Sequence, residues 1–307
     1  MDITDRPFKK RSFVNRFFDP TVWDDFNYRK DDIVIASYAK AGTTLAQQIV
    51  AQLMFNTGED VDVAAISPWI DSVYPDRRTK LDLLQAQSHR RFFKTHLPVD
   101  ALAFSDDAKY IYLARDGRDI ALSLFDHQNA TRPDAQLLSS ESAAASGKLR
   151  VLAPAQLPIG DFFDAWLDKD GHPFWPFWDN LRSWWQARTL PNVLFVHYAD
   201  LVSNMSAEIE RIAAFLDLPL SADRLPSILS NCSFDSMRAN ARLYVPHGSG
   251  LWKDEGKAFF NKGQNGRWTD VLSPQARVSF EQRALDELGP ACAGWMISGG
   301  LAENFAD

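Results

Sequence analysis

Between Asp32 and Ile49 an unbroken apolar run turns through a loop of small residues into an amphipathic segment, which restricts the chain to few architectures. Ile33, Val34 and Ile35 suit a strand buried on both faces, and Leu45, Ile49 and Leu53 recur with helical spacing. Gly42, in the loop between, permits a positive φ or a close approach of backbone to ligand. The loop amides and the helix start carry partial positive charge, and Lys40, Thr43 and Thr44 add donors, so the turn reads as an anion site. Because Lys40 precedes Gly42, the G-x-x-x-x-G-K-[S/T] pattern of Walker-type phosphate loops is missing.

The same strand, polar loop, helix plan repeats downstream. Arg91 to His96 reads as a strand ended by Leu97-Pro98, Tyr110 to Ala114 as a buried strand before a helix carrying Ile120, Ala121, Leu124 and Phe125, and Val193 to Val196 as a fourth. Asn56-Thr-Gly58 reads as a helix stop, and a polar helix is expected near Thr79 to Ser88. Ser206 is the expected N-cap of the helix with Ile209, Ile212, Ala213 and Leu216, and Ser273-Pro274 opens a last helix that Gly289-Pro290 closes. Residues 2 to 28 read as an aromatic arm wrapped on the domain. Strands alternating with helices predict an α/β fold, a three-layer sandwich with a central parallel sheet and ligands at the C-terminal ends of its strands. One domain over residues 1–307 is expected. Gln128 to Gly160, poor in periodicity, and the aromatic stretch Asp161 to Arg188 are expected to include an acceptor-side lid over 128–188; a helical stripe such as Trp178, Leu181 and Trp185 usually means core.

A formal net charge of −7 argues against a nucleic-acid-binding face or a polybasic membrane patch. Cys232 and Cys292 have no metal-ligand spacing, which fits a reducing compartment, and there is neither an apolar leader nor a run long enough to span a membrane. A cytoplasmic protein is expected. The histidines at 89, 96, 127, 172, 197 and 247 form no ligand-spaced pair, so no metal is expected.

The chemistry concentrates at the strand ends. Lys94 and His96, two apart in a strand, leave the same face roughly 7 Å apart. They offer one cleft a cation for a leaving phosphate and a base for a hydroxyl proton. Arg115 ends another strand, with Ser123 eight residues on, and Phe259 to Trp268 places two glycines beside Lys262 and Arg267 as a second anion loop.

These segments together resemble the PAPS-dependent sulfotransferases. Tyr38-Ala-Lys40-Ala41-Gly42-Thr43-Thr44-Leu45 is similar to the 5′-phosphosulfate loop Tyr-Pro-Lys-Ser-Gly-Thr-Thr-Trp, with Ala39, Ala41 and Leu45 replacing proline, serine and tryptophan. Lys94-Thr95-His96-Leu97-Pro98 matches the cytosolic sulfotransferase segment letter for letter, and there the histidine is the general base. Arg115 and Ser123 resemble the 3′-phosphate pair. Asn261-Lys262-Gly263 resembles Arg-Lys-Gly, with Asn261 standing for an arginine whose loss Arg267 could offset. Tyr198, Ser233, Phe234 and Met237 resemble adenine-side residues, with Cys232 at a usual threonine position.

The resemblance implies a P-loop-like nucleotide-binding fold, PAPS as co-substrate and PAP as product. It also implies transfer of a sulfuryl group to a hydroxyl of a small apolar acceptor, phenol or alcohol. Lys40 and Lys94 then steady the phosphosulfate, and His96 deprotonates the acceptor. Two alternatives from other classes stay open: a small-molecule kinase, which needs a Walker lysine and a carboxylate for Mg²⁺, and a non-catalytic PAP-binding module. Neither the acceptor nor an oligomeric state is fixed by the residues.

Overall fold

The computed structural model describes residues 7–12, 14–55, 61–135, 151–172 and 174–305. Four strands, β1 (Ile33–Ser37), β2 (Phe92–Thr95), β3 (Lys109–Ala114) and β4 (Val193–His197), form a parallel sheet in the order β2-β1-β3-β4. Val34 lies opposite both Phe93 and Tyr110, and Tyr112 opposite Phe195. The unbroken apolar run of β1 has a direct cause, since each face of the sheet meets its own core. Ile33 and Ile35 join Ile111 and Leu113 on one side, while Val34 and Ala36 join Tyr110 and Tyr112 on the other.

The helices used below are α1 (Thr43–Met54), α2 (Arg77–Ala86), α3 (Gly117–Ala130), α4 (Ile159–Asp168), α5 (Phe177–Trp185), α6 (Tyr198–Ser203), α7 (Met205–Phe215), α8 (Leu225–Asn231), α9 (Phe234–Ala239) and α10 (Pro274–Ser298). Ile49 and Leu53 of α1 and Ile209 and Ile212 of α7 cover the first face. Trp166 of α4, Trp178 and Trp184 of α5, and Phe280 and Trp295 of α10 cover the second, with Trp184 stacked on Tyr112 at 5.1 Å. The sheet order reverses between β1 and β3, so the loops after these strands part and leave a crevice at their C-terminal ends, where such folds bind ligands.

Several local expectations change. The N-cap of α7 is Asn204, whose side chain accepts from the Ala207 amide, and Ser206 lies inside the helix. The polar helix runs from Arg77 to Ala86, capped by Asp76, because that carboxylate reaches the Thr79 amide. Ser273 caps α10 as expected, and Gly289 at φ 73° breaks it; Pro290, which lacks only an N–H that a first helical turn leaves unpaired, restarts it. In the arm, Phe17, Phe18, Trp23 and Phe26 are buried.

Part of the stretch expected to hold a lid is helical and buried. Residues 128–130 complete α3, and α4 and α5 are core helices with Trp166, Trp178 and Trp184 almost fully enclosed. Burying these indoles outweighs exposing them over a mobile cover. Residues 136–150 of the expected lid lie outside the described residues, as does the expected stop at Asn56 to Gly58.

Candidate active site

A cavity of about 450 Å³ opens at the C-terminal ends of β1, β2 and β3. The loop after β1 is built by two left-handed residues, Lys40 at φ 69° and Gly42 at φ 104°. Its entry is held by Tyr38, whose hydroxyl donates to the carbonyl of Trp175 at 2.9 Å and lies 3.2 Å from that of Gly171. A side chain at Gly42 has no room, since a Cβ there meets the Tyr198 ring at 2.5 Å. Tyr198, first residue of α6, therefore packs directly on the loop, and the Arg115 guanidinium lies 4.4 Å from the same ring.

Arg115 joins two loops that are far apart in sequence. Its Nη2 donates to the Gln264 carbonyl at 2.8 Å, its Nε to Asn265 Oδ1 at 3.0 Å, and its Nη1 lies 3.5 Å from the Lys40 carbonyl. The 263–267 loop is further fixed to α3, because the Gly266 amide donates to Asp119 at 2.8 Å and Arg267 pairs with Asp126 at 2.6 Å. Gly263, at φ 62°, repeats the Gly42 arrangement: a Cβ there meets the Phe234 ring at 2.5 Å. Both glycines serve close approach of backbone to ring, and both line the cavity.

On the other flank stand Lys94 and His96 of β2 and its end, both lining the cavity. His96 Nδ1 lies 2.8 Å from the Ser37 carbonyl, and a carbonyl only accepts, so Nδ1 carries the proton and Nε2 the lone pair. Trp69 at 5.0 Å and Trp175 at 5.7 Å hold the ring. Burial, then the charges of Lys94 and Lys40, push the His96 imidazolium down to about 3, so the ring is neutral at physiological pH. Burial likewise lowers Lys40 to about 7, helped by Arg115 and Lys94 against Asp126, and lowers Lys94 to about 8 against Asp71. The cavity thus concentrates cations whose charge is costly without an anion among them.

The structure gathers Lys40, Gly42, Thr43, Thr44, Leu45, Lys94, His96, Arg115, Ser123, Tyr198, Phe234, Asn261, Lys262 and Gly263 around this one cavity. Ala41 is fully buried, offering the cavity no side chain, and Ser233 is turned away: its hydroxyl caps α9 and donates to the Ser230 carbonyl at 2.7 Å. Arg267 lines the cavity but is already paired with Asp126, so it offsets the arginine replaced by Asn261 only in part. Sequence reasoning missed Asp126 and His127. The signal was present, since His127 lies one helical turn after Ser123 and shares its face. Of the aromatic stretch, Phe174 and Trp175 reach the cavity; Phe17, Trp69, Trp252 and Phe259 join them from elsewhere in the chain.

Comparison with known proteins gives the family and the fold. Residues 30–288 match the family model described as a sulfotransferase domain, and the chain belongs to the PAPS-dependent sulfotransferase family of enzymes. It is 28% identical to a glycolipid sulfotransferase of Mycobacterium bovis, covering 90% of this chain and 91% of the relative. It is 30% identical to sulfotransferase 1B1 of Mus musculus, covering 84% and 83%. The solved structure of a mouse sulfotransferase complexed with PAP superposes with a TM-score of 0.69 at 21% identity, covering 93% of this chain and 92% of that one. Retinol dehydratase in a complex with retinol and PAP gives 0.68 at 23% identity, covering 87% and 84%. At these identities the two structures show the shared α/β fold. Among the described residues no helix is long and apolar enough to cross a membrane.

Proposed function

We propose that the cavity binds PAPS and a small apolar hydroxyl acceptor, and that His96 is the general base of sulfuryl transfer. The observation that carries this reading is the fixed tautomer of His96, a neutral ring with Nδ1–H tied to the Ser37 carbonyl, beside two lysines. The donor set fits the nucleotide: Lys40, Lys94, Arg115 and Lys262 line one cavity, and at Gly42 and Gly263 the backbone lies too close to an aromatic ring for any Cβ. PAPS supplies the sulfuryl group and leaves as PAP. His96 Nε2 takes the hydroxyl proton, and Lys40 and Lys94 place positive charge where the leaving phosphate oxygen becomes more negative. Trp69, Trp175, Phe174 and Trp252 give the acceptor side apolar walls suited to a phenol or an alicyclic alcohol. Incubation with PAPS and a chemically diverse hydroxyl panel, read by mass spectrometry, yields a sulfated product on this reading. Binding of PAP without any sulfated product supports a non-catalytic module instead.

Two binding experiments follow from the cations. Arg115 and Ser123 are the groups for a 3′-phosphate, so PAP binds about 10- to 100-fold more tightly than ADP, the range of a hydrogen bond to a charged group. Arg115→Ala narrows that gap to a few-fold, and calorimetry giving equal affinities for PAP and ADP in the wild type sinks the assignment. Lys40 and Lys94, lowered to about 7 and 8, are partly neutral at pH 8 and regain protons when an anion settles between them. PAP binding at pH 8 therefore takes up protons and weakens as pH rises through this range. The phosphates, with second pKa near 6, are already ionised there. Calorimetry in buffers of different ionisation enthalpy measures the uptake; none at pH 8 means the lysines do not meet the ligand.

A further inference from the structure

We propose that His127 is a positioning residue for Lys40, an assignment that rests on the PAPS reading of the cavity: its Nδ1 accepts a hydrogen bond from the ammonium and fixes where the remaining N–H groups point. The two atoms lie 3.1 Å apart. When Lys40 is protonated it can only donate, so in that state Nδ1 is the acceptor and the imidazole proton sits on Nε2. The ring itself cannot turn freely, because it stands edge-on to Trp252 at 4.9 Å and to Phe259 at 5.7 Å. Lys40 Nζ also lies 4.4 Å from the centre of the Phe259 ring.

A lysine has a flexible four-carbon stem and three rotatable donors, which makes it a poor pointer unless something holds its end. Here the left-handed backbone at Lys40 fixes where the stem starts, and His127 and Phe259 fix where it finishes. One N–H is taken by the imidazole and one side of the ammonium by the ring face, which leaves a defined direction for the rest.

The charged neighbours suit this arrangement. Lys40 faces Arg115, Lys94 and Asp126; His127 faces Lys40, Lys94 and His247. Burial and these cations keep His127 neutral, hence an acceptor, and Asp126 is engaged by Arg267 and does not take the imidazole's place. Ser123, one turn earlier on α3, puts a phosphate-binding candidate and the lysine's holder on the same helix face.

The test compares His127→Phe, which keeps an aromatic ring without an acceptor, with His127→Asn, whose Oδ1 restores one. The first readout uses the free protein: the pH midpoint of Lys40 labelling by an amine-reactive reagent, read by peptide mass spectrometry. Loss of the bond destabilises the ammonium, so His127→Phe moves the midpoint down by about one unit. The second readout is kcat for sulfuryl transfer, expected to fall about 10- to 100-fold in His127→Phe. Asn restores most of both. Melting curves check that the variants fold, and His127→Leu replaces Phe if that ring does not fit. An unchanged midpoint and kcat in the folded acceptor-free variant overturn the proposal, as does an Asn variant no better than Phe. A shifted midpoint in a protein that forms no sulfated product from PAPS overturns the PAPS reading instead and keeps the pair.

Discussion

His96→Ala lowers kcat for sulfuryl transfer by about 10² to 10⁴, the usual range for losing a general base, while PAP affinity stays close to that of the wild type. The separation is positional. In the proposed mechanism Nε2 acts on the proton of the acceptor hydroxyl, a proton that neither PAP nor free PAPS carries, so the variant loses the chemical step and keeps the nucleotide contacts. The ring also packs on Trp69 and Trp175, and its Nδ1–H satisfies the Ser37 carbonyl, so some melting temperature is lost as well. That structural loss alone would reduce PAP binding and turnover together. Calorimetry and single-turnover kinetics on the same preparation separate the two. A folded His96→Ala enzyme that transfers at the wild-type rate would falsify the base assignment and leave the family and fold untouched. The low His96 pKa refines the pH profile: with its value pushed to about 3, this group gives the free enzyme no acidic limb between pH 5 and 8. An anion that compensates Lys40 and Lys94 removes part of the repulsion, so the His96 value rises when PAP binds. NMR titration of the ring measures this rise.

Lys40→Ala damages both steps: kcat falls by about 10² to 10³, as for removal of one donor from a preorganised charge-stabilising site, and PAP affinity falls about tenfold or more. The same substitution does not weaken the fold in proportion. In the folded protein the Lys40 ammonium is lowered from 10.5 to about 7, chiefly by burial, so its charge opposes folding. The sign follows from proton counting. Between about pH 7 and 10 the unfolded chain holds a proton on Lys40 that the folded chain has released, so this group makes the protein more stable as pH rises. Lys40→Ala lacks that rise and melts at or above the wild-type temperature at neutral pH. A melting temperature well below wild type, with PAP affinity and kcat falling in step, would make Lys40 a structural residue of the loop.

The sheet and the residues that gather at the candidate site are written for the most part in local patterns. A strand buried on two faces must be apolar at every position, so β1 and β3 were visible as unbroken runs. Gly42 stood out as a residue free to take a positive φ or to bring backbone close to a ligand, and Gly263 as one of two glycines in an anion loop, whereas the rings packed against them are set by the tertiary structure. The residues around Lys40, Lys94, Arg115 and Lys262 form contiguous motifs, and a parallel sheet brings strand ends to one edge, so their convergence followed from the fold class. Side-chain partnership across distance was not legible. Helical spacing already pointed to a core role for Trp178, but only packing decided that Trp166 is core as well and that Trp175 faces the cavity. Asn204 rather than Ser206 caps α7 because the cap is set by which side chain reaches a free amide, a matter of one turn of backbone. Arg115 holds residues 264 and 265, Arg267 closes on Asp126, and Lys40 rests on His127, pairs separated by 87 positions or more in the chain. Even the neutral state of His96 is tertiary. Its composition is that of any histidine, and only burial beside two cations, with Nδ1 on a carbonyl of the neighbouring strand, fixes its protonation and its tautomer.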